Sequence, residues 1–266
     1  MNKETYLEIN KECWNKKTDV HLSSSFYDVE GFVKGKSSLN EIELNLLGDI
    51  KGRSILHLQC HFGQDSLSLA RMGAEVTGVD LSDTAIEAAR KLSNDIGVEA
   101  KFIECDVYSL SDHITDQFDI VFTSYGTIGW LPDMDRWANV VAQFLKPCGR
   151  FVFAEFHPVV WMFDDDFKEV AYSYFNREEI IEEVSGSYTD RSAPIKTTSI
   201  SWNHDLSEVL TALLKQGLVL DQFLEFDYSP YNCFNKMEEF ETGKYRIKGL
   251  KNRIPMVYAL AMTKPS

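Results

Sequence analysis

The 266-residue sequence is short of positive charge, of pairable cysteines and of long apolar runs, and each shortage removes a class of function. Lys and Arg number 27 against 41 Asp and Glu, a formal balance of −14. A nucleic-acid backbone has to be neutralised by Lys and Arg, so no nucleic acid is expected as a partner. The cysteines Cys13, Cys60, Cys105, Cys148 and Cys233 are odd in number and scattered, which argues for free thiols rather than a disulfide framework. No apolar run is long enough to span a bilayer, and the start Met1-Asn2-Lys3-Glu4-Thr5 carries no apolar signal core. No repeat or low-complexity tract is present. The expectation is a cytoplasmic protein with no membrane partner. Hydrophobic residues make up 44% of the chain, enough for a real core in one large domain spanning residues 1–266.

Between Leu39 and His157 short apolar segments alternate with amphipathic ones. Leu39 to Leu47 reads as a helix, with Ser38 and Glu41 as its capping pair and Gly48 as its stop. Ser54 to Leu58 reads as a strand, Gln64 to Met72 as a helix ended by Gly73, and Glu75 to Val79 as a second strand. A helix from Asp83 to Ser93 follows, with Ser82 as N-cap and Gly97 beyond it. Ala100 to Cys105 and Phe118 to Thr123 are the third and fourth strands. From Pro132 to Leu145, the residues Trp137, Val140, Val141, Phe144 and Leu145 recur at helical spacing. Pro147-Cys148-Gly149 breaks that helix before a fifth strand, Phe151 to Ala154. The pattern lapses over 158–204, where Trp161, Phe163, Phe167, Tyr172, Tyr174, Phe175, Tyr188 and Trp202 crowd together. It resumes with a helix capped by Asp205 and Glu208, and with strands at Leu218 to Phe226 and Met256 to Thr263. Such alternation predicts right-handed βαβ units and an α/β fold: a Rossmann-like, doubly wound, mostly parallel seven-stranded sheet. Residues 1–38 are expected to lie across the main domain, and 158–204 to form an aromatic-rich cap, unless those rings are ordinary core packing.

Ligands of an open parallel sheet bind beyond the carboxyl ends of its strands. The first such loop is Gln59-Cys60-His61-Phe62-Gly63. Seventeen residues beyond Gly63 the second strand ends at Asp80, and the third ends in Cys105-Asp106-Val107. A carboxylate at Asp80 can accept from both hydroxyls of a ribose, and Asp106 from an adenine amino group beside an apolar neighbour. Taken singly, Asp80 reads as a helix cap and Asp106 as a turn residue. Together, on consecutive strands after a common loop, they suit a nucleoside.

With these segments the sequence resembles the class I S-adenosylmethionine-dependent methyltransferases, well over 39–157 and loosely over the last two strands. Ile55-Leu56-His57-Leu58-Gln59-Cys60-His61-Phe62-Gly63 occupies the frame that the family commonly writes V-L-D-L-G-C-G-T-G. Val79-Asp80-Leu81-Ser82 is similar to its ribose-binding segment and Cys105-Asp106-Val107 to its adenine-binding one. Phe118-Asp119-Ile120-Val121 resembles the fourth-strand motif, and Leu145-Lys146-Pro147-Cys148-Gly149 the turn written L-K-P-G-G. The resemblance implies S-adenosyl-L-methionine as cofactor, held by His57, Gln59, Cys60, His61, Gly63, Asp80, Leu81, Ser82, Asp106, Val107, Thr123 and Ser124. Two family glycines are replaced by Gln59 and His61, and the first-strand acid by His57. The new side chains must turn aside or serve the methionine end of the cofactor.

The implied reaction is in-line displacement at the sulfonium methyl, for which the protein supplies alignment and exclusion of water. A base is needed only if the nucleophile sheds a proton. His157 is the preferred candidate and His204 the second, each with an alternative structural reading. Tyr125, in the loop that should border the methyl, reads more readily as a pocket wall than as an acid. The cap suggests a small-molecule methyl acceptor that is partly apolar. His57 and His61 are separated by a strand and loop rather than a helical turn, so no metal site is expected. The rival readings are a catalytically silent module that binds an adenosyl ligand and an NAD-dependent oxidoreductase. The missing G-x-G-x-x-G counts against the second.

Overall fold

The structure, a computed structural model, describes residues 3–266. It opens on a 20-residue helix, α1 (Lys3–Leu22), followed by the short α2 (Val29–Val33) and by α3 (Glu41–Leu47). The buried residues of α1 include Tyr6, Asn10, Cys13, Thr18 and His21. Their spacing is helical but their chemistry is aromatic and polar, which is why aliphatic periodicity gives no helix here. Helix α3 starts two residues later than expected. Its N-cap is Asn40, whose backbone N–H donates to Glu43 Oε1, so the capping pair is Asn40 and Glu43 rather than Ser38 and Glu41. The Ser38 amide and hydroxyl turn instead to Ser68 Oγ, at 3.1 and 3.0 Å.

Then come β1 (Ser54–Leu58), α4 (Gln64–Arg71), β2 (Glu75–Asp80), α5 (Asp83–Ile96), β3 (Lys101–Glu104), β4 (Phe118–Ser124), α6 (Met134–Phe144) and β5 (Leu145–Phe156). The Pro147-Cys148-Gly149 turn does not end before β5 but bulges within it. Phe118 pairs with Leu145 while Ile120 pairs with Arg150, and Cys148 takes a left-handed φ of 60°. The antiparallel pair β6 (Ile180–Ser185) and β7 (Lys196–Ser201) follows, then α7 (Leu206–Lys215) and β8 (Val219–Phe226). A second antiparallel pair, β9 (Met237–Glu241) and β10 (Lys244–Ile247), precedes the last strand, β11 (Val257–Thr263).

The main sheet has seven strands in the order β3-β2-β1-β4-β5-β11-β8. The first five are parallel, and β11 runs antiparallel to both β5 and β8. Strand residues alternate between two apolar layers. Leu56, Leu58, Val121, Phe151, Phe153 and Leu260 pack with α6 and α7, centred on the fully buried Trp137. Ile55, Ile120, Phe122, Val152 and Ala259 pack with Leu39, Ile42 and Leu46 at α3. The chain leaves β1 outward through β2 and β3 and then returns to β4 on the other side. That reversal opens a crevice at the carboxyl ends of β1 and β4.

Asn10 and Asn15 help to hold α1 over this crevice. Asn10 completes a neighbour's backbone pairing, with Nδ2 donating to the Ile200 carbonyl at 2.8 Å and Oδ1 accepting from the Ile200 N–H at 2.9 Å. Asn15 bridges the start of α5, donating to Asp83 Oδ1 and accepting from Ser82 Oγ, each at 2.6 Å. Among the described residues no helix is long and apolar enough to cross a membrane. Asn10→Ala would strip both partners from a buried Ile200 peptide, at about 1–3 kcal/mol for each orphaned group. The expected outcome is a lowered urea midpoint with an unchanged slope. An unaltered midpoint would mean that water replaces the amide without cost.

Candidate active site

A cavity of about 770 Å³ occupies the crevice. Its floor is made by residues 59–65, 80–81, 105–107 and 124–131, and its roof includes Tyr6, Asn10 and Trp14 of α1 with Ser199 and Ser201 of β7.

The floor turns on an alternation in the first loop. Gln59, His61 and Gly63 adopt φ of 54°, 50° and 79°. A left-handed conformation strains a residue with a Cβ, so Gln59 and His61 need compensating bonds. Cys60 N donates to the Val79 carbonyl at 2.9 Å, and His61 N to Asp80 Oδ2 at 2.8 Å. Gln59 Nε2 reaches the Thr127 carbonyl at 2.8 Å. At Gly63 no such trade is open: a Cβ there would lie 2.7 Å from the Phe102 ring and 2.9 Å from Ala89. Positions 59 and 61 open onto the cavity, while position 63 also faces packed side chains, and that difference decides where glycine is indispensable.

Three imidazoles stand in or over this floor. His61 Nε2 meets His21 Nδ1 at 2.8 Å, and His21 Nε2 meets Ser187 Oγ at 2.7 Å. His57 Nδ1 meets Ser66 Oγ at 2.8 Å. Burial lowers His57 and His21 to about 3 and His61 well below its usual range. All three rings are therefore neutral near pH 7 and add no positive charge to the cavity. Gln59 Oε1 and His61 Nδ1, both on cavity-lining residues, are buried without a hydrogen-bond partner. Each leaves hydrogen-bonding capacity unspent on a residue that lines the cavity.

Asp80 closes β2 and lines the cavity. Besides His61 N, its carboxylate accepts from Ser82 N at 2.9 Å through Oδ1. Burial raises it to about 6, against the opposing pull of the backbone N–H groups. The Leu81 N–H acts on the same carboxylate. Asp106 lies on the same wall, beside Leu81 and Val107, and its carbonyl accepts from the Ser109 N–H and hydroxyl, both at 2.9 Å.

A second polar group lies beyond the end of β4. Tyr125 lines the cavity at a φ of 45° and donates to Glu43 Oε2 at 2.8 Å. Glu43 is wholly buried, and burial, seconded by the charge of Asp65, raises it to about 7. Asp65 accepts from Ser124 Oγ at 3.3 Å, and its carboxyl is also raised by burial. Neither acid belongs to a motif in the sequence. Leu39, Leu46 and Leu47 stand at i−4, i+3 and i+4 from Glu43, which places it on the buried stripe of α3 and is the signal that would have found it. Asp65 reads as an ordinary first-turn acid, so nothing local marks it. A third buried acid, Glu155, stands near the end of β5. Its carboxylate takes the N–H groups of Gly126, Thr127, Ile128 and Phe156, and so fixes the loop after β4.

Four expected site residues are spent elsewhere. His157 does not line the cavity. Its Nδ1 accepts from Val159 N at 3.2 Å and its Nε2 meets Glu225 Oε1 at 2.9 Å. His204 does line it, but its nitrogens are engaged by the Leu131 carbonyl at 2.8 Å and Glu208 at 3.1 Å. Ser82 caps α5 by accepting from Ala85 N, and Thr123 donates to the Leu58 carbonyl inside the sheet. Neither lines the cavity. His57, Gln59, Cys60, His61, Gly63, Asp80, Leu81, Asp106, Val107, Ser124 and Tyr125 all do. Among the described residues no three His, Cys, Asp or Glu side chains are grouped to hold a metal ion.

Residues 55–149 match the model of a methyltransferase domain family. The ubiquinone biosynthesis O-methyltransferase of Alkalilimnicola ehrlichii is 32% identical over 136 residues, covering 50% of this chain and 55% of that protein. Its namesake from Shewanella pealeana is 30% identical over 137 residues, covering 50% and 58%. The chain thus spans about half the length of the curated relatives it matches. An S-adenosylmethionine-dependent methyltransferase of Methanosarcina mazei superposes with a TM-score of 0.60 at 21% identity, over 85% of this chain and 98% of that one. Geranyl diphosphate C-methyltransferase of Streptomyces coelicolor gives 0.62 at 14%, over 97% and 98%. Domain match and strand order agree: residues 55–149 match a methyltransferase domain model, in a chain whose fold is that of the S-adenosylmethionine-dependent methyltransferases.

Proposed function

We propose that the chain catalyses S-adenosylmethionine-dependent methyl transfer to a small, partly apolar acceptor that carries no negative charge. The observation that carries this reading is the convergence on one cavity of Asp80, Asp106 and a left-handed first loop with two unpartnered polar atoms. Asp80 holds the ribose hydroxyls beside Leu81, and Asp106 with Val107 receives the adenine. Gln59 Oε1 and His61 Nδ1 take the methionine end, near His57 and Cys60, where neutral imidazoles leave room for an ammonium group. The bound cofactor supplies a methyl group already activated by a positively charged sulfur. The chain's own part is to align an acceptor with that methyl and to keep water out.

The acceptor's charge follows from the lining. Lys36 is the sole Lys or Arg among the lining residues and is paired with Asp28 at 2.9 Å. Asp65, Asp80, Asp106, Asp165 and Glu182 face the same space. A carboxylate or phosphate acceptor would enter against that field. The aromatic walls suit a flat or apolar one: Phe156 and Phe234 meet at 5.0 Å, and Trp161 and Phe234 at 5.3 Å.

Calorimetry with S-adenosylhomocysteine and with NAD tests the reading. Tight binding of the first and none of the second is expected, and the reverse would replace it by the oxidoreductase reading. Binding without turnover on any acceptor would favour a silent module. Asp80→Ala is expected to weaken S-adenosylhomocysteine by about 1.5–3 kcal/mol, the scale of a hydrogen bond to a charged group. Equal affinity in the variant would remove Asp80 from the ribose role.

Affinity should also depend on pH, with a definite sign. Ribose hydroxyls donate to the ionised carboxylate, so binding is expected to weaken as pH falls through about 6. The same raised value makes ionised Asp80 a burden on the unliganded fold. Stability from this group is complete below the ordinary carboxyl range and is lost as pH rises through about 6. Affinity that stays flat between pH 5 and 8 would contradict the assignment.

A further inference from the structure

The Tyr125–Glu43 pair has the geometry of a path for a proton leaving the cavity. Tyr125 follows β4 directly, and its left-handed backbone sets its ring in the wall. Its neighbours are Tyr231 at 5.1 Å, edge to face, and Phe156 at 5.8 Å. Tyr231 in turn stacks on Phe26 at 5.7 Å. Behind this wall Glu43 divides its oxygens. Oε1 accepts from the Asn40 amide at 2.5 Å and from Asn40 Nδ2 at 3.1 Å, whereas Oε2 receives the Tyr125 hydroxyl at 2.8 Å. The groups that face Glu43 are Asp65 from α4, Tyr125, Tyr231 and Asn40. None is a cation, so nothing there holds Glu43 ionised by charge.

We propose that Tyr125 and Glu43 form a relay that removes the hydroxyl proton of a phenolic acceptor during methyl transfer. The inference rests on the methyl-transfer reading above. As the acceptor's O–H bond breaks, its proton passes to the Tyr125 oxygen, and the Tyr125 proton passes to Glu43 Oε2. The electron pair left on the acceptor oxygen forms the O–CH3 bond, and the pair of the broken S–CH3 bond stays on sulfur. Glu43 ends protonated and returns the proton to solvent after the product leaves. Tyr125 touches the acceptor; Glu43 acts through it and is a positioning residue. A phenol titrates near 10 and an exposed glutamate near 4.3, so burial of Glu43 to about 7 closes roughly half of the gap. An alkyl alcohol, a far weaker acid, would not yield its proton to such a pair. The ring-lined slot likewise fits a planar acceptor.

The test uses phenol, whose neutral and ionised forms absorb at different wavelengths, added to the full chain saturated with S-adenosylhomocysteine. At about pH 8, where the free probe is protonated and Glu43 is ionised, the wild type is expected to raise the probe's ionised fraction by roughly tenfold. Glu43→Gln and Tyr125→Phe are expected to bind S-adenosylhomocysteine with unchanged affinity but to abolish the spectral shift. Gln at position 43 still accepts from the Asn40 N–H, so the cap of α3 survives, and Tyr125→Phe breaks the path without touching that cap. An equal shift in wild type and both variants would overturn the relay. No shift, or no probe binding, in a wild type that binds S-adenosylhomocysteine would overturn the phenolic class. Failure of the wild type to bind S-adenosylhomocysteine would instead defeat the underlying reading.

Discussion

The bond from the His61 amide to the Asp80 carboxylate is the constraint on which the site depends. It ties the first loop to the end of β2, across the neighbouring strands β1 and β2. The loop needs such a tie because Gln59 and His61 hold left-handed backbone that glycine would adopt without strain. Asp80 is thereby both an organiser of the loop and a wall of the cavity. One carboxylate in two roles accounts for its burial: it must sit deep enough to reach a backbone amide, and that depth raises its proton affinity. The strain at 59 and 61 also places two long polar side chains where glycines would leave empty space.

Charge inside the cavity follows the same logic of burial. Desolvation drives the histidines to their neutral form and the carboxyl groups toward theirs. The cavity is therefore less negative than a count of its acids implies, yet among the described lining residues the one Lys or Arg is Lys36, paired with Asp28. Such a space tolerates a positively charged sulfur and resists an anionic acceptor. Glu155 shows the contrast. Its carboxyl is raised by burial too, but four backbone N–H groups converge on it, and it serves as a cap for the loop after β4.

Much of the sheet was legible because its strands are short and apolar and its helices carry aliphatic stripes ended by glycine. Ser82, Gly97, Asp205 and Gly217 mark their boundaries as capping chemistry requires. The N-terminal helix was not legible, because its buried face carries the ring of Tyr6 with the polar residues Asn10, Thr18 and His21, the last three held by specific hydrogen bonds. Hydropathy does not register a face of that kind. The Asp80–Asp106 side of the cavity was readable since both acids sit at fixed places in the sheet's connectivity. The opposite side was not: Glu43 comes from α3, Asp65 from α4 and Tyr231 from the link after β8. Those three meet only through the fold. His157 is held by Val159 and Glu225 away from the cavity, whereas His204 lines the cavity with both nitrogens engaged by the Leu131 carbonyl and Glu208.

The roof gives Asp80 its setting. Helix α1 and the β6–β7 hairpin region are joined to each other by Asn10 with Ile200 and by His21 with Ser187. His21 also meets His61, so the roof is bonded to the first loop as well as to itself. Burial holds Asp80, on the cavity wall beneath that roof, near 6, whereas Glu43 is raised to about 7 by its own place on the buried stripe of α3. The polar face of α1, unreadable as a helix by hydropathy, is the element on which the roof rests.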